Sequence, residues 1–336
     1  MPASYSIAIL NSIRANASNE YASRIPEATR GNIESIGQYL STYAPLANEF
    51  ANALMTKIGK TIVSTKMANN PLARFKSGGI VTPHDVEEIF IGMAKAEGAF
   101  DPDGKNPMGR RQPPETDVAY YRQNRQDKYV VTIGDLDYTR VFTSPERLDA
   151  YIAGLINSLY SADNHDEYLA MKKILAAWGA KYAQYGVPAF DGDDNQAAAK
   201  SFIKSLRKAV LDVGYMSNQY NAAGVMTKAD AADLVLLVHK DVMVETDVEQ
   251  LATAFNQSHT DMKVVPTIIP MDDFGDLADT YGLLVDEQFF RIFDTLFHME
   301  TVRNGDGLFT NYFLHHHQIL GLSPFKTAVR LGKATA

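Results

Sequence analysis

The stretch from Ser144 to Gly186 constrains the fold of this chain more than any other. Ser144 is a good N-cap, Pro145 suits a first helical position, and Glu146 complements the helix dipole there. Leu148, Ile152, Leu155, Ile156 and Leu159 then recur at the spacing of one buried helical face. A polar dent, Ser161 to Asp166, interrupts the stripe, which resumes through Tyr168, Met171, Ile174, Leu175 and Trp178 until Gly186 and Pro188 end it. About 40 residues rising 1.5 Å each predict a rod of roughly 60 Å. In a chain of 336 residues such a helix is a spine with other elements laid across it.

Before the spine the composition changes. Gly78, Gly79, Pro83, Gly98, Pro102, Gly104, Pro107, Gly109, Pro113 and Pro114 interrupt the chain between two extended candidates, Val86–Met93 and Tyr120–Ile133. These predict a two-stranded ribbon with a long irregular tip. An isolated ribbon buries too little to be stable in water, so it either folds back on its own domain or lies on another subunit. Its tip carries Lys105, Arg110 and Arg111, a set suited to docking on an acidic surface or to plain solvation. The first sixty or so residues have a thin apolar stripe, Ile33, Ile36 and Leu40, then Leu46, Phe50, Leu54 and Ile58. They read either as an arm that packs on neighbouring molecules or as a helix docked on its own domain.

Beyond the turn at Asp191–Asn195 the pattern is compact α/β. Ala198–Val213 reads as a helix with Phe202, Leu206, Ala209 and Val210 on one side, and Leu234–His239 as a buried strand. Thr246–Phe255 has helical spacing, and Val264–Ile269 and Gly282–Val285 read as further strands. Asn304-Gly305 is a hairpin-turn signal joining Met299–Val302 to Leu308–Leu314.

Several function classes are disfavoured. No apolar run is long enough to span a membrane as a helix. With no cysteine, disulfide and thiolate chemistry are excluded. The net charge of −8 comes without any Lys/Arg run, which weighs against nucleic-acid binding, an affinity built mainly by neutralising phosphates. No dinucleotide fingerprint, P-loop, nucleophile elbow or zinc-protease motif is present. His315, His316 and His317 are the one conspicuous cluster. On a strand His315 and His317 share a face, and His298 or Glu300 across the hairpin would complete a metal site, which leaves a metal-dependent enzyme as the competing reading. The plain reading is an aromatic interface surface. Asp101-Pro102-Asp103-Gly104 and Asp191–Asn195 resemble pieces of calcium loops without the closing glutamate. No catalytic, cofactor or metal residue is therefore assigned.

A resemblance covers nearly the whole chain. Asn69-Asn70-Pro71-Leu72-Ala73-Arg74-Phe75-Lys76, Val86-Glu87-Glu88-Ile89-Phe90, and Asn124-Arg125-Gln126 with Tyr129 and Thr132-Ile133 come first. Leu155-Ile156-Asn157-Ser158-Leu159-Tyr160, Asp166-Glu167-Tyr168 and Met171-Lys172 follow on the spine. Leu251-Ala252-Thr253-Ala254-Phe255-Asn256 with Thr260-Asp261, then His298-Met299-Glu300-Thr301-Val302-Arg303-Asn304 with Gly307-Leu308 and Asn311-Tyr312, complete it. In this order they resemble the major head proteins of phi-29-like short-tailed phages, a branch with the Hong Kong 97-type capsid fold.

The resemblance implies an α+β capsid subunit that catalyses nothing. It would have an N-terminal arm over 1–77, an extended β-hairpin loop over 78–135, and a peripheral domain over 136–194 and 292–336 with its spine helix at about 145–185. An axial domain would occupy 195–291. It implies pentamers and hexamers in an icosahedral or prolate shell around double-stranded DNA held without specific binding. A separate scaffolding protein, a portal and assembly in the host cytoplasm are further implications. The immunoglobulin-like domain of some relatives is not expected here. Expected inter-subunit contacts are Lys105, Arg110 and Arg111 at the loop tip, with Arg125 and Arg303 from the matching segments.

Overall fold

The computed structural model describes residues 5–42, 46, 49–50, 53–54, 70–79, 85–96, 102–103, 112–134, 145–190, 196–245 and 267–334. The chain divides into two units. The first comprises Met1–Asn70, Arg125–Tyr168 and Asp294–Gln318, the second Pro71–Asn124, Leu169–Phe293 and Ile319–Ala336.

The first unit opens with three helices, α1 (Tyr5–Asn16), α2 (Asn19–Arg24) and α3 (Ile33–Thr42), followed by helical residues at Leu46, Glu49, Phe50, Ala53 and Leu54. Ser18 caps α2 by accepting from the Tyr21 N–H, supplying one of the acceptors that a helix start lacks. Asn11 Nδ2 donates to the Ala28 carbonyl at 3.1 Å while Asn11 Oδ1 accepts from the Ala28 N–H at 2.7 Å. Arg14 donates to the carbonyls of Ile25 and Ala22, so α1 is stapled to the turn after α2. Ile9, Leu10, Ile13, Tyr21, Ile25, Ile33, Ile36, Leu40, Leu46, Phe50 and Leu54 are all buried, in one cluster with Ile133, Leu155, Leu159, Tyr160, Tyr312 and Leu314.

For the described residues up to Leu54, the helices are buried within their own unit, as in the docked alternative. Each helix has a stripe too thin to hold it alone, but the helices pool their stripes against the spine and the sheet. A stripe judged one helix at a time understates what several helices bury together.

The spine, α4 (Pro145–Trp178), runs 34 residues, about 51 Å at 1.5 Å per residue. Its expected extension to Gly186 does not occur. Gly179 has φ +45°, a left-handed geometry that suits glycine and ends the helix. Residues Ala183–Val187 form a strand, β5, instead. Ser144 lies outside the described residues.

The expected second ribbon strand, Tyr120–Ile133, is two strands. β2 (Val86–Ile91) pairs antiparallel with β3 (Thr116–Tyr121) in a separate two-stranded sheet. β4 (Arg125–Gly134) belongs elsewhere, in a sheet of order β1-β9-β10-β4, where β1 is Lys76–Gly79. β9 (Phe290–Asn304) and β10 (Phe309–Leu322) form the expected hairpin but are far longer than the sequence pattern suggested. Asn304 Oδ1 accepts the N–H groups of Asp306 and Gly307, closing the turn. β10 pairs antiparallel with β4 from Phe309↔Gly134 to Gln318↔Arg125.

The second unit is built on a five-stranded sheet of order β5-β11-β8-β6-β7, where β6 is Leu234–His239, β7 Thr267–Met271, β8 Thr280–Asp286 and β11 Ala328–Lys333. β6 is parallel to β7 and antiparallel to β8, and β11 is parallel to β5. Five consecutive buried residues, Leu234 to Val238, match a central strand covered on both faces. α5 (Gln196–Val213) lays Phe202, Leu206, Ala209 and Val210 on this sheet, as its spacing predicts. The expected helix Thr246–Phe255 lies outside the described residues.

Candidate functional site

Two features carry functional weight, one in each unit. The first begins on the spine. Leu155, Leu159, Met171 and Leu175 are buried at four-residue intervals, and the stripe does not skip the polar dent. It continues through Asp163 and Glu167, which are 4% and 2% exposed. A carboxylate on a buried stripe is costly unless it is bonded, and here each is. Asp163 accepts from Arg125 at 2.9 Å and sits against His316 Nδ1, 2.7 and 2.8 Å from its two oxygens. Glu167 accepts from Asn70 at 2.8 Å and from the Gln318 carboxamide at 2.5 Å. Gln318 also donates to Asp294 at 2.6 Å, and Asp294 lies 3.1 Å from His316 Nε2. Arg125 donates further to Asp127, the Tyr129 hydroxyl and Gln318.

Burial works against a charged ring at His316, but the hydrogen bonds to Asp163 and Asp294 outweigh it, so its pKa stands above the usual histidine value. Burial likewise opposes the charge on Arg125, and Asp163 and Asp127 more than restore it. Glu167, Asp294 and His316 present ligand atoms within 4.8 Å of one another, a set able to hold a metal.

The second feature is the β2–β3 ribbon. Strand alternation puts Val86, Glu88 and Phe90 on one face and Glu87, Ile89 and Ile91 on the other. The inner face is anchored within its own unit. Glu88 accepts from Arg291, from the Tyr121 hydroxyl at 2.6 Å and from Ser323 at 3.0 Å, and Phe90 stacks on Phe325 at 5.6 Å between centroids. A Cβ on Gly321 would come within 2.4 Å of the Tyr121 ring, so only glycine lets that ring lie where its hydroxyl meets Glu88. Among the described residues the outer face has no such cover. Ile89 and Ile91 are 57% and 66% exposed, and Met93, Val118 and Tyr120 are exposed beside them. Ile89 sits directly across from Val118 in the ladder. Large exposed apolar patches are a common feature of interaction surfaces.

Burial alone would raise the Glu88 pKa, but the Arg291, Tyr121 and Ser323 hydrogen bonds bring it below the ordinary carboxylate value of 4.5. A lowered folded pKa stabilises above the unfolded value, and the contribution is lost as pH falls through the folded one. Glu88→Gln therefore costs about 2 kcal/mol at neutral pH, typical of a hydrogen-bonded charge lost from a half-buried site. The wild-type advantage shrinks below pH 4.5 and vanishes in stronger acid. Urea unfolding of both proteins across that range measures it.

The expected contact residues fare unequally. Lys105, Arg110 and Arg111 lie outside the described residues. Arg303 is exposed near the β9–β10 turn. Arg125 is a correction. At 6% exposed, its guanidinium is spent on five groups of its own unit and does not face outward. The reason is parity, since Arg125 sits on the inward side of β4 opposite Gln318.

The same parity reorders the histidines. His315 and His317 do share a face, with ring centroids 6.4 Å apart, but they are the half-buried pair. The inward ring is His316, which continues the side of Tyr312 and Leu314. The sequence reading includes His316 in the histidine run but gives the ligand face to His315 and His317, and it passes over Asp163, Asp294, Gln318, Glu88 and Arg291 as site residues. For His316 the signal was present, because a period of two from Leu314 selects it.

The backbone arrangement is that of a phage capsid subunit of the Hong Kong 97 type. A chain from the capsid of Staphylococcus phage Andhra superposes with a TM-score of 0.64 over 80% of this chain and 85% of that one, at 12% identity. A chain from the mature capsid of bacteriophage PhiM1 gives 0.53 over 80% and 89%, at 10% identity. Sequence narrows the class. Residues 10–331 match the Phi29-like phage major capsid protein family, and the chain belongs to it. The major capsid protein of Bacillus phage B103 is 32% identical over 323 residues, covering 96% of this chain and 71% of that relative. That of Streptococcus phage Cp-1 is 27% identical over 342 residues, covering 95% and 92%. The segments that carry the resemblance meet in the first feature, where Asn70, Arg125, Tyr129, Asp166 and Glu167 come from three of them.

Proposed function

We propose that this capsid protein builds its shell by laying the outer face of the β2–β3 ribbon on an adjacent copy of itself. The observation that carries the reading is the uncovered stripe of Ile89, Ile91, Met93, Val118 and Tyr120 on a ribbon whose other face is fastened to its own unit. Fastening one face sets the direction of the ribbon, and the free face then meets the same site on every neighbour. Repeated heterologous contacts of this kind close into rings, here pentamers and hexamers, and then into a shell.

The five-stranded sheet with α5 suits the axial role, and the spine with its sheet and N-terminal helices suits the peripheral one. The basic tip residues Lys105, Arg110 and Arg111 extend the contact onto an acidic partner surface. A separate scaffolding protein and a portal complete assembly in the host cytoplasm. The net charge of −8 keeps packaged double-stranded DNA from adhering to the wall. The subunit performs no catalysis, and the metal-enzyme reading at His315–His317 gains nothing from the half-buried positions of those two rings.

Deletion of residues 102–114 tests the loop. The expected variant is soluble and folded by circular dichroism but forms no particles under conditions where the parent does. Normal particles from the deletion would show that the loop tip is not a contact.

A further inference from the structure

We propose that Glu167, Asp294 and His316 bind one divalent first-row cation in the interior of the first unit, as a structural pin. Each supplies a ligand atom, and the three atoms lie within 4.8 Å of one another. Each comes from a different element, Glu167 from α4, Asp294 from β9 and His316 from β10. A cation held by all three therefore fastens the spine to both strands of the hairpin.

Four observations favour a cation site over a plain polar patch. His316 and Glu167 are 2% exposed, so two of the three donors have already left water. Asp163 takes His316 Nδ1 at 2.7 and 2.8 Å and turns Nε2 toward Asp294 at 3.1 Å. A carboxylate behind one ring nitrogen, with the other nitrogen aimed at acidic oxygens, is the arrangement that orients metal-bound histidines. Glu167 is itself held in place by Asn70 at 2.8 Å. The Gln318 carboxamide N–H group stands 2.5 Å from Glu167 and 2.6 Å from Asp294. That donor marks where positive charge is wanted, and the cation would displace it.

The donor set selects the metal. One imidazole nitrogen with two carboxylates suits Zn²⁺, Co²⁺ or Mn²⁺, whereas Mg²⁺ and Ca²⁺ take oxygen ligands. On binding, the cation replaces the Nε2 proton of His316, which leaves to solvent.

The test uses the intact, tag-free chain, stripped with a chelator and titrated with Co²⁺. One equivalent per chain should give visible d–d absorption, be displaced by Zn²⁺, and raise the melting temperature. Glu167→Gln and His316→Gln should each lose the absorption, while the His315→Gln/His317→Gln double variant keeps it. Three results would overturn the proposal: no absorption in the parent, absorption retained in Glu167→Gln, or absorption lost in the double variant. Should the interior variants fail to fold, zinc-edge X-ray absorption of the parent decides. A shell with a single imidazole supports the site, and two or more imidazoles place the metal on the histidines of the outer face instead.

Discussion

Replacing Arg125 by methionine should destabilise the protein by about 3–5 kcal/mol, the usual cost of removing one partner from a buried ion pair. Methionine roughly preserves the volume, so the loss is electrostatic and not a packing void. Asp163 would remain 4% exposed and lose its guanidinium, while Asp127, Gln318 and the Tyr129 hydroxyl each lose a donor. For a unit of this size the expected drop in melting temperature is roughly 10 °C. Adding Asp163→Asn to Arg125→Met should recover part of the loss, because the stranded carboxylate disappears with its partner. A double-mutant cycle by urea unfolding measures the coupling. Strict additivity of the two changes would contradict the network described above.

The second large effect concerns assembly and leaves folding alone. Ile89→Asp with Ile91→Asp alters only the outer face of the ribbon, where both side chains are more than half exposed. The monomer should keep its melting temperature within about 1 °C, as exposed substitutions away from special features usually do. In a shell contact the same change removes two buried isoleucines and inserts two charges. Even a penalty of ~3 kcal/mol per contact raises the protein concentration needed for assembly about a hundredfold. Light scattering against concentration reads this directly. Glu87→Gln, on the same face without apolar loss, is the control and should assemble at close to the parent concentration.

How much of this was legible in the sequence depended on whether the signal was local. β6 was readable because five apolar residues in a row need both faces covered. α5 was readable because its stripe is strong enough by itself. The β9–β10 turn was readable because Asn304 makes its own bonds two and three residues ahead. The misreadings were of features decided at long range. Tyr120–Ile133 looked like one strand, but β3 pairs with β2 and β4 with β10, and the break at residues 122–124 follows from that choice of partners. Asn124 fixes the break by bonding both ways to the Leu320 backbone, nearly two hundred residues away.

The buried network was hidden for the same reason. Asp163 lies in the stretch read as a polar dent, and only the four-residue offsets of Asp163 from Leu159 and of Glu167 from Met171 place the two carboxylates inside. The N-terminal helices also had to be counted together before their burial was visible. Membership of the capsid family therefore stands on the match over residues 10–331, not on a poorly covered N-terminus.

Cryo-electron microscopy of particles assembled from this chain is the direct measurement of how it builds a shell. The expected map has the ribbon of each subunit lying along its neighbour, with Ile89, Ile91, Val118 and Tyr120 covered and the inner face still fastened through Glu88 to Arg291. A map in which that stripe faces solvent, with subunits joined through other surfaces, would contradict it.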